Sequence, residues 1–178
     1  ENVAIAYGMG MTAEKVAGQW KVSREAQDEF ALTSHLRALK AIETGEFQQE
    51  IAPYTVDEKR PDLTMHQVRE EIAVKDTDEG PRAGTNLDAL AKLRPVFAAK
   101  GSVTAGNSSQ MSDGAGAVVL MSEAAMQRFH LSPLGRFIGF SVVGVPPEIM
   151  GVGPIKAIPK VLAQTGIKLA DLDWIELN

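Results

Sequence analysis

The stretch from Gly101 to Gly114 concentrates Gly, Ser, Thr and Asn (Gly101, Ser102, Thr104, Gly106, Asn107, Ser108, Ser109, Ser112, Gly114) and is the most chemically suggestive part of the chain. Small residues let a ligand approach the main chain, and exposed amides and hydroxyls offer donors to a carbonyl or a phosphate. It is not a phosphate loop, because the GxxxxGK[ST] spacing and its lysine are absent. The same composition also suits a plain turn-rich connection into a buried strand. His35, His66 and His130 are too scattered to form a metal-ligand pair on one face, and each suits a surface position. The acidic run at Asp76, Asp78 and Glu79 offers oxygens to a cation but equally suits a solvated loop. The chain has no cysteine, so these residues hold no disulfide, no thiolate metal ligand and no thiol nucleophile.

The elements that must position this loop follow from local pattern. Val3 to Met11 is apolar and Gly-punctuated, a loop over a buried surface, with a helix starting near Thr12. Ser23 precedes Arg24 and Glu25 and is placed to cap a helix running to Thr44, with Gly45 as its stop. At 100° per residue, Ala26, Phe30, Ala31, Ala38, Ala41 and Ile42 share one stripe; Leu32, Leu36 and Leu39 form a nearly opposite one, so the helix needs two partners. Residues 46–82 read as short strands and exposed loops. Thr85 or Asn86 caps a short helix through Leu87, Leu90 and Leu93 that Pro95 ends near Arg94. Ala117 to Met121 reads as a buried strand, and Ser122 caps a helix through Phe129. Arg136 to Val143 is a second strand. Pro154 opens a helix that ends before Gly166 and that Pro159 kinks or restarts. Asp173 to Leu177 closes as a third strand. Strand, helix, strand, helix, strand is the order of an α/β layer architecture.

At 178 residues the chain has room for one ordinary domain or two small ones, and it can bury roughly 70% of its unfolded surface in a core. No apolar run reaches the roughly 20 residues that cross a membrane. A formal net charge of -5 argues against a nucleic-acid surface. The start at Glu1 without Met and the stop at Asn178 after an apolar run read as a segment of something longer, and no signal peptide is present, which suits a cytoplasmic site.

Taken together, several segments resemble the thiolase family: Met9 to Glu14, Gln19 to Asp28, Leu93 to Phe97, Val103 to Ser109, Asp113 to Ala115, Met150 to Pro154 and Ile175 to Asn178. They follow family order across essentially the whole chain. The resemblance implies a layered αβαβα fold of two similar α/β halves, present here in part. Residues 1–111 would be most of the loop domain that covers coenzyme A and helps form oligomers, 112–133 the end of the N-terminal half, and 134–178 the start of the C-terminal half. It implies an acetyl-CoA C-acyltransferase of fatty-acid β-oxidation that cleaves 3-ketoacyl-CoA with CoA, working as a homodimer or tetramer, with coenzyme A and acyl-CoA as substrates and no other cofactor or metal. A β-oxidation partner subunit is compatible with it.

By the same resemblance Asn178 is an oxyanion element that positions a water, and Ser109 contacts the pantetheine arm. Ala105 and Gly106 line the pantetheine channel, with Phe97 packed nearby. Met111 lies beside the acyl pocket, Met9 approaches the reactive end, and Arg82 sits near the nucleotide phosphates. The nucleophilic Cys, the catalytic His and the second Cys of the family are expected outside these residues, so the chain alone is expected to be inactive. Gly8 stands where acetoacetyl-CoA thiolases have a His, and Ala89 where the family has a Ser, which leans toward the degradative enzyme. Gln110 replaces a common Gly. The alternatives are an acetoacetyl-CoA-forming thiolase, a non-catalytic fragment that binds CoA and oligomerises, and a carrier that binds acyl-CoA or lipid without cleaving it.

Overall fold

The computed structural model describes residues 8–178 and divides them into two compact units, one of Ser23–Gln110 and the other of the chain up to Val22 together with Met111–Asn178. Of the opening apolar stretch, residues 3–7 lie outside the described residues. Gly8 is the N-cap of α1 (Met9–Trp20), so the helix begins three residues before the expected Thr12. Thr12, whose hydroxyl donates to the Met9 carbonyl (2.7 Å), lies inside its first turn instead of capping it.

The Ser23–Gln110 unit is built on α2 (Arg24–Glu43), which starts where the sequence places it: the Ser23 hydroxyl accepts the Ala26 N–H (3.2 Å). Glu25 in that first turn is held below the usual carboxylate range, first by a backbone N–H at Glu25 and then by the Ser23 hydroxyl. Gly45 supplies the left-handed stop at φ +74°. The covered side of α2 mixes both expected stripes, taking Ala31, Ala38 and Ile42 with Leu32 and Leu39, while Phe30 and Leu36 stay exposed.

β1 (Tyr54–Asp62) and β2 (Gln67–Lys75) form an antiparallel hairpin in which Lys59 faces Glu70 and Tyr54 faces Lys75. Here β1 runs straight through the charged Asp57 to Arg60. An exposed two-stranded ribbon has no core face to feed, so cross-strand ion pairs replace apolar alternation. Asn86 caps α3 (Leu87–Ala91) by accepting the Ala89 N–H (2.9 Å).

In the second unit Ser122 caps α4 (Glu123–Arg128), and α5 (Gly153–Thr165) has Pro154 in its first turn and Gly166 at its left-handed end. The helix does not restart at Pro159: the residue sits inside α5, which runs from Gly153 through Thr165, and the proline's missing N–H costs one hydrogen bond, to the Ile155 carbonyl. α1 packs against a 3-10 segment at Pro147–Val152.

The three strands expected at 117–121, 136–143 and 173–177 are not strands; among the described residues the only ladder is that of β1 and β2. A strand forms only where another strand takes its N–H and C=O groups, and these segments have no such neighbour. Val118, Val119 and Leu120 are 83%, 85% and 82% exposed. Around residue 140 the chain instead lies along α5, where the Ser141 hydroxyl donates to the Ala157 carbonyl (2.8 Å) and Lys160 Nζ to the Val142 carbonyl (2.9 Å). The expected ordinary core is likewise missing: among the described residues the buried apolar side chains are Leu90 and Val103. Layers bury their faces only against other layers, and without sheet pairing the apolar runs have nothing to cover them.

Candidate functional site

The Gly101 to Gly114 loop has a buried back and an open front. Thr104 is fully buried and Val103 nearly so, whereas Ala105, Ser108 and Ser109 are exposed. The turn is wound on Thr104. Its N–H donates to Asn107 Oδ1 (2.8 Å), its hydroxyl accepts the Gly106 N–H (3.2 Å), and its carbonyl accepts the Ser108 hydroxyl (2.8 Å). A Cβ at Gly106 would lie 2.5 Å from Leu93 Cδ1 and 2.6 Å from Leu90 Cδ2, so any side chain there would force the two leucines to shift. Its glycine serves close packing on α3 and the residues after it, not a left-handed backbone.

Phe97 joins this turn through the Val96 N–H, which donates to the Val103 carbonyl (3.1 Å) and lays the 95–98 segment beside the loop's first arm. Ser109 donates to the Gln110 carbonyl (3.1 Å) at the exposed end. Gln110 then lies against Gly80, in the segment that leads to Arg82. Arg82 is exposed, and its backbone N–H donates to His35 Nδ1 (3.3 Å). Accepting there requires Nδ1 to be proton-free. Ser34, His35, Ala38, Asp78, Gly80, Pro81 and Gln110 line a hollow of about 260 Å³ beside this contact. The unit therefore gathers Ala105, Gly106, Ser109 and Phe97 on one turn and its flank, and ties the Arg82 segment to α2. Met9, Met111 and Asn178 belong to the other unit, where all three are exposed.

Sequence reasoning missed what lies behind the loop. Asp28 is 4% exposed; Oδ2 accepts from Arg24 Nε (2.8 Å) and Oδ1 from Asn107 Nδ2 (2.9 Å). Arg24 Nη2 donates to the carbonyls of Leu90 (2.6 Å) and Leu93 (3.2 Å), and Gln27 Nε2 to the Ser102 hydroxyl (2.9 Å). The i, i+4 spacing of Arg24 and Asp28 was a readable signal for the pair; Asn107, 79 residues away, was not. Among the described residues no group of His, Asp or Glu is arranged to hold a metal ion, and no helix is long and apolar enough to cross a membrane.

The thiolase N-terminal domain matches residues 1–124 and the thiolase C-terminal domain residues 131–178. The chain belongs to the thiolase family. It is 49% identical over 172 residues to the 3-ketoacyl-CoA thiolase of Bacillus subtilis, covering 96% of this chain and 43% of that protein. To the acetyl-CoA acetyltransferase of Shinella zoogloeoides it is 46% identical, covering 97% of this chain and 41% of that protein. Human mitochondrial 3-ketoacyl-CoA thiolase in complex with CoA superposes with a TM-score of 0.79 at 40% identity, covering 95% of this chain and 39% of that one. The chain thus spans about two-fifths of the length of the thiolases it matches, and its fold is part of the thiolase α/β fold. A partial span accounts for strand sequences without strands, since a layered fold supplies their ladders from the whole.

Proposed function

We propose that these residues form the coenzyme A cradle of an acetyl-CoA C-acyltransferase that cleaves a 3-ketoacyl-CoA with a second CoA to acetyl-CoA and a shortened acyl-CoA, as in fatty-acid β-oxidation. The observation that carries this is the turn from Thr104 to Ser109, fixed behind and open in front, on a chain of thiolase sequence. A narrow arm laid against Ala105 and Gly106 reaches main chain without obstruction, and the Ser109 hydroxyl supplies a donor at its edge. Phe97 closes one side, and the Arg82 guanidinium is available to the nucleotide phosphates. Met9 and Met111 serve the reactive end and the acyl pocket.

The chemistry needs a thiolate to take the acyl group, a base, and donors for the oxyanions that develop. With no cysteine among these residues, the thiol is supplied by other parts of the whole protein, and the chain by itself transfers no acyl group. Asn178 contributes the one oxyanion element, its amide holding a water. A homodimeric or tetrameric assembly in the cytoplasm belongs to the same proposal.

The relatives support a second reading almost equally, at 46% against 49% identity: synthesis of acetoacetyl-CoA from two acetyl-CoA. Gly8, where acetoacetyl-CoA thiolases have a His, and Ala89, where the family has a Ser, favour degradation. Cleavage by the whole protein, followed against acyl chain length, separates the two. Turnover that rises toward medium chains supports β-oxidation, turnover confined to acetoacetyl-CoA supports synthesis, and no CoA-dependent cleavage of any 3-ketoacyl-CoA rejects both.

A further inference from the structure

We propose that Asp28 and Asn107, neither of which faces the ligand, are positioning residues that set the CoA affinity of the loop. The inference rests on the CoA reading above. The Asn107 amide is fully engaged: Oδ1 accepts the Thr104 N–H (2.8 Å), and Nδ2 donates to Asp28 Oδ1 (2.9 Å) and to the Ser102 carbonyl (3.0 Å). Its orientation is fixed, because a flip would set the amide oxygen against a carboxylate and a carbonyl, and its NH2 against an N–H. Asp28 in turn is held by Arg24, and Arg24 by the carbonyls of Leu90 and Leu93. The side chains of those same two leucines form the floor under Gly106. The turn is therefore clamped twice from α2, at Asn107 through the carboxylate and at Gly106 through the leucines. What remains unclamped is the outer face of Ala105 and Ser109. A ligand that reads the main chain there reads a shape that Asp28 and Asn107 determine, since a site held by locked supporting side chains loses little on binding.

Asn107→Asp in the full-length protein keeps an acceptor for Thr104 but turns a carboxylate toward Asp28. The variant is expected to weaken CoA binding by about tenfold in calorimetry. KM for CoA should rise while kcat at saturating CoA stays near the parent value, and amide exchange in residues 101–110 should quicken. In Asp28→Asn combined with Asn107→Asp, the amide at 28 donates to the carboxylate at 107, while the Ser102 carbonyl still faces that carboxylate, so part of the lost affinity should return. Asp28→Asn alone leaves one amide oxygen for two donors, Arg24 Nε and Asn107 Nδ2, so one of them faces an NH2; it is the variant to read if Asn107→Asp does not fold, and it too should raise KM more than it lowers kcat. Single variants that bind CoA like the parent, a kcat loss without a KM change, or a double variant with no recovery would each overturn the inference and leave the CoA reading intact. A parent protein that binds no CoA overturns both.

Discussion

Arg24 with Asp28 and Arg60 with Glu58 join the same two functional groups, yet one pair organises a loop and the other decorates a ribbon. In the first, the carboxylate is 5% exposed and every contact leads onward, to Asn107 on one side and to the Leu90 and Leu93 carbonyls on the other. In the second, the carboxylate is 19% exposed and the guanidinium 74%, against 21% for that of Arg24, and the two lie side by side on one strand of the hairpin. Burial separates them. A carboxylate removed from water is costly unless its hydrogen bonds are made, so its partners are obligatory, whereas water replaces a lost surface partner.

The contrast is broken most directly by Asp28→Ala, which strands the Arg24 guanidinium and the Asn107 amide; it should destabilise the Ser23–Gln110 unit by about 3 kcal/mol in urea unfolding. Gly106→Ala should cost about 1–3 kcal/mol by the same measurement, because Leu90 is buried and has little room to move. Ser23→Ala should remove about 1 kcal/mol with the cap of α2, detectable as faster amide exchange in its first turn. On the ribbon, a double-mutant cycle of Lys59→Ala and Glu70→Ala, paired at 3.0 Å, should give a coupling below about 1 kcal/mol that fades with salt.

Smallest of all is the acid response of Glu58, held below the usual carboxylate range first by the hydrogen bond from Arg60, then by that residue's charge. A carboxyl group lowered on folding adds stability above its unfolded pKa and loses it as pH falls through the folded one. An NMR titration should find Glu58 titrating below the ordinary glutamate range, and Arg60→Ala should move it back toward that range.

The same distinction explains which features the sequence made legible. Ser23, Asn86 and Ser122 cap helices as expected because a cap is settled within four residues. The turn within 101–114 was legible for the same reason, its glycines and hydroxyls acting on their own backbone. The family was legible through a series of short motifs in order. Strands at 117–121, 136–143 and 173–177 were misread because a strand is a property of two segments, and the second was absent. Asp28 and Asn107 escaped notice for a related reason: each is an ordinary polar residue until the fold sets it beside the other. Pro159 errs in the opposite direction, a strong local veto on a helix that α5 tolerates at the cost of one bond.

The exposed run Ala117-Val118-Val119-Leu120-Met121 carries a consequence for the chain in solution. Five uncharged residues, three of them large, aliphatic and more than four-fifths exposed, lie in a segment that takes part in no strand ladder. Such a segment pairs with any strand that reaches it, including the identical one of another molecule. For these residues alone, protein concentration becomes a structural variable: dilute samples should stay monomeric, and concentrated ones should self-associate through β-pairing that a Lys substituted at Val119 suppresses.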